Sequence, residues 1–250
     1  MPIPVCYCPP DCFRGDKIVL PDEEARHIIR VLRFKAGERM ITVDGEGHAY
    51  EGTLVTDERW GGTSMQIETK FDNWGEPIVH LTLAFGLAVG AKVDEIIEKG
   101  TELGVSRFVP LATEKSKVRL DDITKALRKS DRLTRVAIAA MKQCRRSRLP
   151  EICPPTDIES FMTDMAGSQT TAKLLFHPHS DSRPLEQSLV AGKQNIIVIT
   201  GPESGFSDDE VGKAIAAGCT VVSLGKRVLR AENAAPVACA LVLQMAGELR

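Results

Sequence analysis

Asn195-Ile196-Ile197-Val198-Ile199-Thr200-Gly201-Pro202-Glu203-Ser204-Gly205-Phe206-Ser207-Asp208-Asp209-Glu210 decides how this chain is built. Asn195 to Thr200 is a short apolar run, the pattern of a strand buried on both faces. Ser207 and Glu210 are spaced as a capping box, in which each side chain serves the other's backbone N–H, so a helix begins there. Between strand and helix lies a loop carrying glycine and proline at the strand's carboxyl end, where ligands of open α/β sheets bind. A second such loop, Gly225-Lys226-Arg227-Val228-Leu229-Arg230-Ala231-Glu232-Asn233, follows the apolar run Thr220 to Leu224. It precedes a final apolar helix, predicted from about Ala234 to Leu249. A lone glycine turn needs no ligand. Two polar loops at the ends of strands point to a ligand site.

Outward from this unit the alternation continues. Ala172 to Phe176 predicts another strand, and Gly218 closes the capped helix. His80 to Leu87 is a buried strand, and Val93, Ile96, Ile97 and Leu103 keep helical spacing up to Gly104. Val105 to Leu111 is the next strand. Asp121 or Asp122 can cap a long helix with Ile123, Leu127, Leu133, Ala137, Met141 and Cys144 on its apolar face. Lys125, Arg128, Lys129, Arg132 and Arg135 fall on the opposite face and run on into Arg145, Arg146 and Arg148. Such alternation predicts an α/β fold with a mostly parallel sheet flanked by helices.

The first seventy residues differ. Glu23 to Leu32 predicts a helix with Ala25, Ile28, Ile29 and Leu32 on one face. Arg39 to Val43 and Ala49 to Thr56 read as strands joined at the Asp44-Gly45 hairpin signal, and Met65 to Thr69 continues the pattern. Two domains are therefore expected, a small, mainly β module over residues 1–73 and an α/β domain over 78–250. Asn73-Trp74-Gly75-Glu76-Pro77 is the linker.

Composition narrows the class. With 43% hydrophobic and 26% charged residues in 250, the chain has a globular profile and is not disordered. No apolar run reaches the roughly 18 residues needed to cross a bilayer, and Met1 to Pro10 lacks a secretory pattern. A soluble cytoplasmic protein with no membrane partner is expected. Cys6, Cys8 and Cys12 lack the spacing and the fourth ligand of a zinc site, so reduced thiols and no metal are expected. The net charge of −2 conceals a basic block: Glu114 to Arg148 holds 12 basic and four acidic residues, a local net of +8. A block of that density attracts phosphate or is the solvated face of a helix.

Familiar nucleotide motifs fail. Gly86 to Lys92 is one residue short of a P-loop and lacks its Ser or Thr, and no strand is followed by G-x-G-x-x-G. His177-Pro178-His179, in a chain with only five histidines, is not read as a metal site.

A series of segments, in order along nearly the whole chain, carries a resemblance. They are His27 to Arg33, Lys99-Gly100-Thr101-Glu102-Leu103-Gly104-Val105, and Pro110-Leu111 with Thr113-Glu114-Lys115-Ser116. Gln143-Cys144, Arg146 and Arg148-Leu149-Pro150-Glu151-Ile152 follow. Gly201-Pro202-Glu203-x-Gly205 and Leu224-Gly225-x-Arg227-Val228-Leu229-Arg230-x-Glu232 close the series. The chain resembles the 16S ribosomal RNA uridine-N3 methyltransferases, the RsmE-type members of the SPOUT, or trefoil-knot, superfamily. It departs from the family pattern at Ser204, usually glycine, and at Ala231 and Asn233, usually threonine.

The resemblance implies an N-terminal PUA-like β-barrel and a C-terminal knotted α/β domain in a homodimer. It implies S-adenosylmethionine as cofactor and 16S rRNA, free or in the assembled small subunit, as partner. The matching cofactor positions are His177, Thr200, Gly201, Glu203, Leu224, Gly225, Val228, Leu229 and Arg230. Arg230 is the catalytic candidate, either as the cation beside the uracil N3 anion or as a loop-fixing partner of Glu232. Glu203 either accepts from a ribose hydroxyl or fixes its loop. Arg30, Arg128, Arg132, Arg135, Arg146 and Arg148 are the candidates for rRNA phosphate contact. Two other classes stay open: a non-catalytic rRNA-binding assembly factor, and a small-molecule α/β enzyme with a merely solvated basic helix.

Overall fold

The computed structural model describes residues 3–57, 62–87, 92–116, 131–167, 170–178, 182–188 and 192–249. The chain divides into two compact units, Met1–Glu76 with Ile138–Leu149, and Pro77–Ala137 with Pro150–Arg250. The linker region separates them, but Ile138–Leu149 groups with the first unit, whereas the sequence places it in the second domain.

The first unit holds β1 (Val5–Tyr7), β2 (Phe13–Arg14), β3 (Lys17–Val19), β4 (Arg39–Val43), β5 (His48–Asp57) and β6 (Gly62–Asp72). They form one sheet in the order β1-β4-β5-β6-β3-β2, antiparallel throughout except for the β1–β4 pair. At the predicted hairpin the Asp44 Oδ1 accepts the N–H groups of Glu46 (2.7 Å) and His48 (3.0 Å). Gly45 and Gly47 stand at φ 83° and 111°, a region that favours glycine. Cys6 and Cys8 are fully buried against Ile18, Ile28, Met40 and Met65, and burial pushes both thiols far above their usual range. They act as small core hydrophobes.

The early helix is not regular. α1 (Asp22–Arg26) passes into a π-turn, His27–Val31, in which the Leu32 N–H donates to His27 O five residues back (3.0 Å). The widened turn rotates the following side chains. Ile28 stays buried, while Ile29 and Leu32 turn outward at 37% and 39% exposure, against the single apolar face that helical spacing predicts.

Ile138–Leu149 joins this unit through specific contacts. Met141 packs with Ile41, Val43 and Ala49, and Lys142 Nζ donates to Glu24 Oε1 at 2.6 Å. Glu76 Oε2 accepts from Nε (3.1 Å) and Nη2 (2.8 Å) of Arg146, and its Oε1 accepts the N–H groups of Ser147 and Arg148, both at 2.8 Å. Arg146 is 2% exposed. The sequence assignment of Arg146 to rRNA is therefore corrected: a buried guanidinium satisfied by a carboxylate ties this segment to the linker and does not face phosphate.

The second unit contains β7 (His80–Gly86), α2 (Lys92–Leu103), β8 (Arg107–Ala112) and α3 (Asp131–Cys144), the last shared with the first unit. β9 (Glu151–Ile152), β10 (Thr156–Asp157), α4 (Ile158–Ala166), β11 (Ala172–Phe176), β12 (Asn195–Thr200), α5 (Asp208–Ala216), β13 (Thr220–Val222) and α6 (Ala231–Met245) follow. Its seven strands are parallel, in the order β10-β8-β7-β12-β11-β13 with β9 beside β8. Leu133, Ala137 and Met141 are buried along α3, and Arg132 and Arg135 are exposed, as the spacing predicts. Asp121, Asp122, Ile123, Lys125, Leu127, Arg128 and Lys129 lie outside the described residues.

The capping box is present at α5, with Ser207 N–H donating to Glu210 Oε2 (2.8 Å) and Glu210 N–H to Ser207 Oγ (3.3 Å). α6 starts three residues earlier than predicted, so Pro236 falls in its second turn. There it deprives the Glu232 carbonyl of its helical donor.

Candidate functional site

Parallel pairing sets the carboxyl ends of β12, β11 and β13 side by side, and the loops leaving them enclose a cavity of about 240 Å³. Its walls are Phe176 to Pro178, Thr200 to Gly205, Ser223 to Gly225 with Arg227 to Leu229, and the start of α6. The structure thus brings together His177, Thr200, Gly201, Glu203, Leu224, Gly225, Val228 and Leu229. β11 lies between the two strands whose loops the sequence singled out, and its own end supplies the third wall.

Two glycines give the cavity its shape. Gly225 stands at φ 95°, a conformation that favours glycine, and a Cβ there would meet no atom within 4 Å. Gly201 keeps an ordinary φ. A Cβ on it would press on the Phe206 ring at 3.2 Å, so close packing, not backbone conformation, selects glycine. Phe206 is 2% exposed and meets the His177 ring edge-on at 5.9 Å, while the His177 N–H donates to Val222 O at 3.0 Å.

Residues without an assigned role in the sequence hold the 200–206 loop in place. Ser204 Oγ donates to Lys115 O (2.7 Å), Lys115 Nζ donates to Phe206 O (2.8 Å), and Glu114 N–H donates to Glu210 Oε1 (2.8 Å). The departure at Ser204 is therefore accommodated, since its hydroxyl makes one of these anchors. Gly86 ends β7 next to this loop. A Cβ there would lie 2.8 Å from the Gly201 carbonyl carbon and closer still to Pro202. The only sequence signal for these supports was the Thr113-Glu114-Lys115-Ser116 match and the glycine of the failed P-loop.

Arg230 is separate from this cavity. It is the exposed N-cap residue of α6, its carbonyl accepting the N–H groups of Asn233 (2.9 Å) and Ala234 (2.8 Å). It lines a neighbouring cavity of about 510 Å³ with Lys92, Glu203, Val228 and Leu229. Among the described residues the ionic partner of Glu232 is Lys92, at 3.9 Å, so Glu232 does not pin Arg230.

The remaining arginines occupy both units. Arg30 is exposed and, with Arg26 and Ile29, lines a cavity of about 360 Å³ in the first unit. Arg148 is exposed, with Nη2 donating to Asn73 Oδ1 at 3.4 Å. In the second unit Arg132 binds Asp94, and Arg135 is exposed. Arg128 lies outside the described residues. Among the described residues no group of three His, Cys, Asp or Glu is placed to hold a metal ion, and no helix is long and apolar enough to cross a membrane.

Residues 75–243 match the profile of an RNA methyltransferase domain, and residues 20–59 that of an RNA methyltransferase PUA domain. The ribosomal RNA small subunit methyltransferase E of Synechocystis is 33% identical over 229 residues, covering 90% of this chain and 72% of that protein. The Bacillus subtilis protein of the same name is 31% identical, covering 85% and 84%. A crystal structure of the Neisseria gonorrhoeae protein of that name, bound to S-adenosylmethionine, superposes with a TM-score of 0.83. That pair shares 28% identity, covering 97% of this chain and 98% of that one.

Proposed function

Since this chain belongs to the RNA methyltransferase family of the ribosomal RNA small subunit methyltransferases E, we propose that its reaction is methylation of N3 of a uridine in 16S rRNA. S-adenosylmethionine is the methyl donor. The observation that carries the site assignment is one cavity at three adjacent strand ends, opening beside a second cavity that holds the arginine cation.

The residues fit the cofactor. Leu224, Val228 and Leu229 offer apolar surface for the adenine faces, and Gly225 leaves open the space that a side chain would fill. Main-chain groups around Gly201 and Gly225 can read the adenine edge, and Glu203 can accept from a ribose hydroxyl. When bound, the cofactor supplies an electrophilic sulfonium methyl group.

The chain's own part is to prepare the nitrogen. N3 of uracil carries a proton that must pass to solvent before the nitrogen can attack, and the resulting charge is offset by the Arg230 guanidinium. Because N3 is on the Watson–Crick edge, the base must be unpaired to enter the site. Arg30, Arg132, Arg135 and Arg148 hold rRNA phosphates and position the substrate without reading its sequence.

A second copy of the chain covers the partly exposed Val237 and Leu241, which stand four residues apart on one face of α6 beside the site. The protein works in the cytoplasm, where ribosomal subunits are made. Calorimetry tests the site. The wild type should bind S-adenosylmethionine, and Gly225→Val, whose side chain would enter the cavity at a φ it cannot adopt without strain, should not. A wild type without affinity for the cofactor would favour a non-catalytic rRNA-binding factor instead.

A further inference from the structure

Lys92 opens α2 and lines the second cavity, and its ammonium meets Glu203 and stands 3.9 Å from Glu232. Glu232 is 9% exposed, and its Oε2 is enclosed without a hydrogen bond, which is costly for a carboxylate oxygen unless a cation stands near it, as Lys92 does. That cost is explained if the carboxylate holds a cation in place from behind. Among the described residues Lys92 pairs with Glu203 after β12 and Glu232 on α6, and Arg230, the N-cap residue of α6, lines the same cavity. The same cavity has an apolar wall, Val228 and Leu229.

Two cations against an apolar wall suit a pyrimidine with a carbonyl on each side of its reacting nitrogen. When uracil N3 is deprotonated, its charge spreads onto O2 and O4, one on either flank. A single arginine reaches one flank.

We propose that Lys92 is the second cation of the uracil subsite, donating to one carbonyl of the target base while Arg230 serves the other, and that Glu232 is a positioning residue for Lys92. Glu203 borders both cavities, so it is the partner that Lys92 exchanges for the base. The inference rests on the assignment of methyl transfer to this site.

The test is the pH profile of single-turnover methylation of unmodified 16S rRNA, free and in small subunits, by full-length protein. Calorimetry of S-adenosylmethionine runs in parallel. In the wild type the rate should rise as N3–H ionises. Lys92→Met should slow transfer about tenfold at neutral pH and move the rise to higher pH by about one unit, because a nearby cation favours the anion by that order. Lys92→Arg should restore most of both. Glu232→Gln should show the same shift in weaker form.

Cofactor affinity should hold in all three variants. A wild-type pH profile in Lys92→Met would overturn the proposal. So would a loss confined to rRNA affinity and its salt slope, the behaviour of a phosphate contact. A wild type that binds no cofactor or transfers no methyl group would overturn the site assignment itself, and the inference with it.

Discussion

Gly86→Ala tests whether the backbone of β7 sets the position of the cofactor loop. The β7–β12 register puts Phe85 opposite Thr200, so Gly86 meets the chain at Gly201 and Pro202. An added Cβ would lie 2.3 Å from the Pro202 backbone nitrogen and ring Cδ, against an ordinary contact of roughly 3.5 Å. The loop must retreat by about 1.2 Å, and the obstacle is backbone and a proline ring, which cannot rotate away as a flexible side chain would. Overpacking of this kind costs about 1–3 kcal/mol. If the strain falls on the loop, affinity for S-adenosylmethionine should drop about tenfold, the equivalent of 1.4 kcal/mol. Turnover should fall further, since misplacement by about 1 Å can cost a hundredfold.

Gly212→Ala in α5 is the control. A Cβ there meets nothing within 4 Å, and alanine is the better helix former by about 0.5–1 kcal/mol. Calorimetry and urea unfolding of both variants read the difference, Gly212→Ala keeping affinity and gaining stability. Wild-type cofactor affinity in Gly86→Ala would refute the reasoning.

Arg230→Ala should keep the fold and most cofactor affinity while lowering single-turnover methyl transfer at least about tenfold, the loss expected when a cation near a developing anion is removed. Near-wild-type turnover would take Arg230 out of the chemistry. Arg146→Ala leaves Glu76 buried without its partner, so urea unfolding should show a loss of about 3–5 kcal/mol, while Arg148→Ala should be nearly neutral for stability. In binding to 16S fragments, Arg148→Ala should flatten the log–log salt dependence by about one unit, and no flattening would make it ordinary surface. Asp157 caps α4 by accepting the Ser160 N–H at 2.8 Å, and that bond holds its carboxyl below the usual range. Its contribution, about 1 kcal/mol, is full above pH about 4 and lost as the pH falls through the lowered value, so Asp157→Ala should match the wild type only in strong acid.

The buried parallel strands were the most legible part of the sequence. Asn195–Thr200 and Ala172–Phe176 are predicted to the residue, because a strand covered on both faces must be apolar throughout. The capping box was equally plain, since both its bonds are local. The three short strands β1, β2 and β3 gave no signal: two or three residues carry no period, and β1 and β3 are strands through partners far along the chain, β4 and β6, with β2 added on the edge of β3. The π-turn at His27–Val31 was hidden for a related reason, because helical spacing assumes 3.6 residues per turn. The misassignment of Arg146 shows the limit of reading charge by stretch. Seven arginines in one block look alike until Glu76, seventy residues away, selects one for burial. At the site, the loop residues were legible because glycine and charge cluster at strand ends. Gly86 and Lys115 were not, since their roles consist of contacts with chain about 90 to 116 residues distant.

The most direct measurement incubates the protein with methyl-labelled S-adenosylmethionine and unmodified 16S rRNA, free and in small subunits, then maps the label by nuclease digestion and mass spectrometry. One labelled nucleotide is expected, a uridine carrying its methyl group on N3, with the label reduced at least about tenfold in Arg230→Ala. Label on a ribose hydroxyl or on another base, or no transfer by a wild type that binds the cofactor, would contradict methylation of uridine N3 at this site.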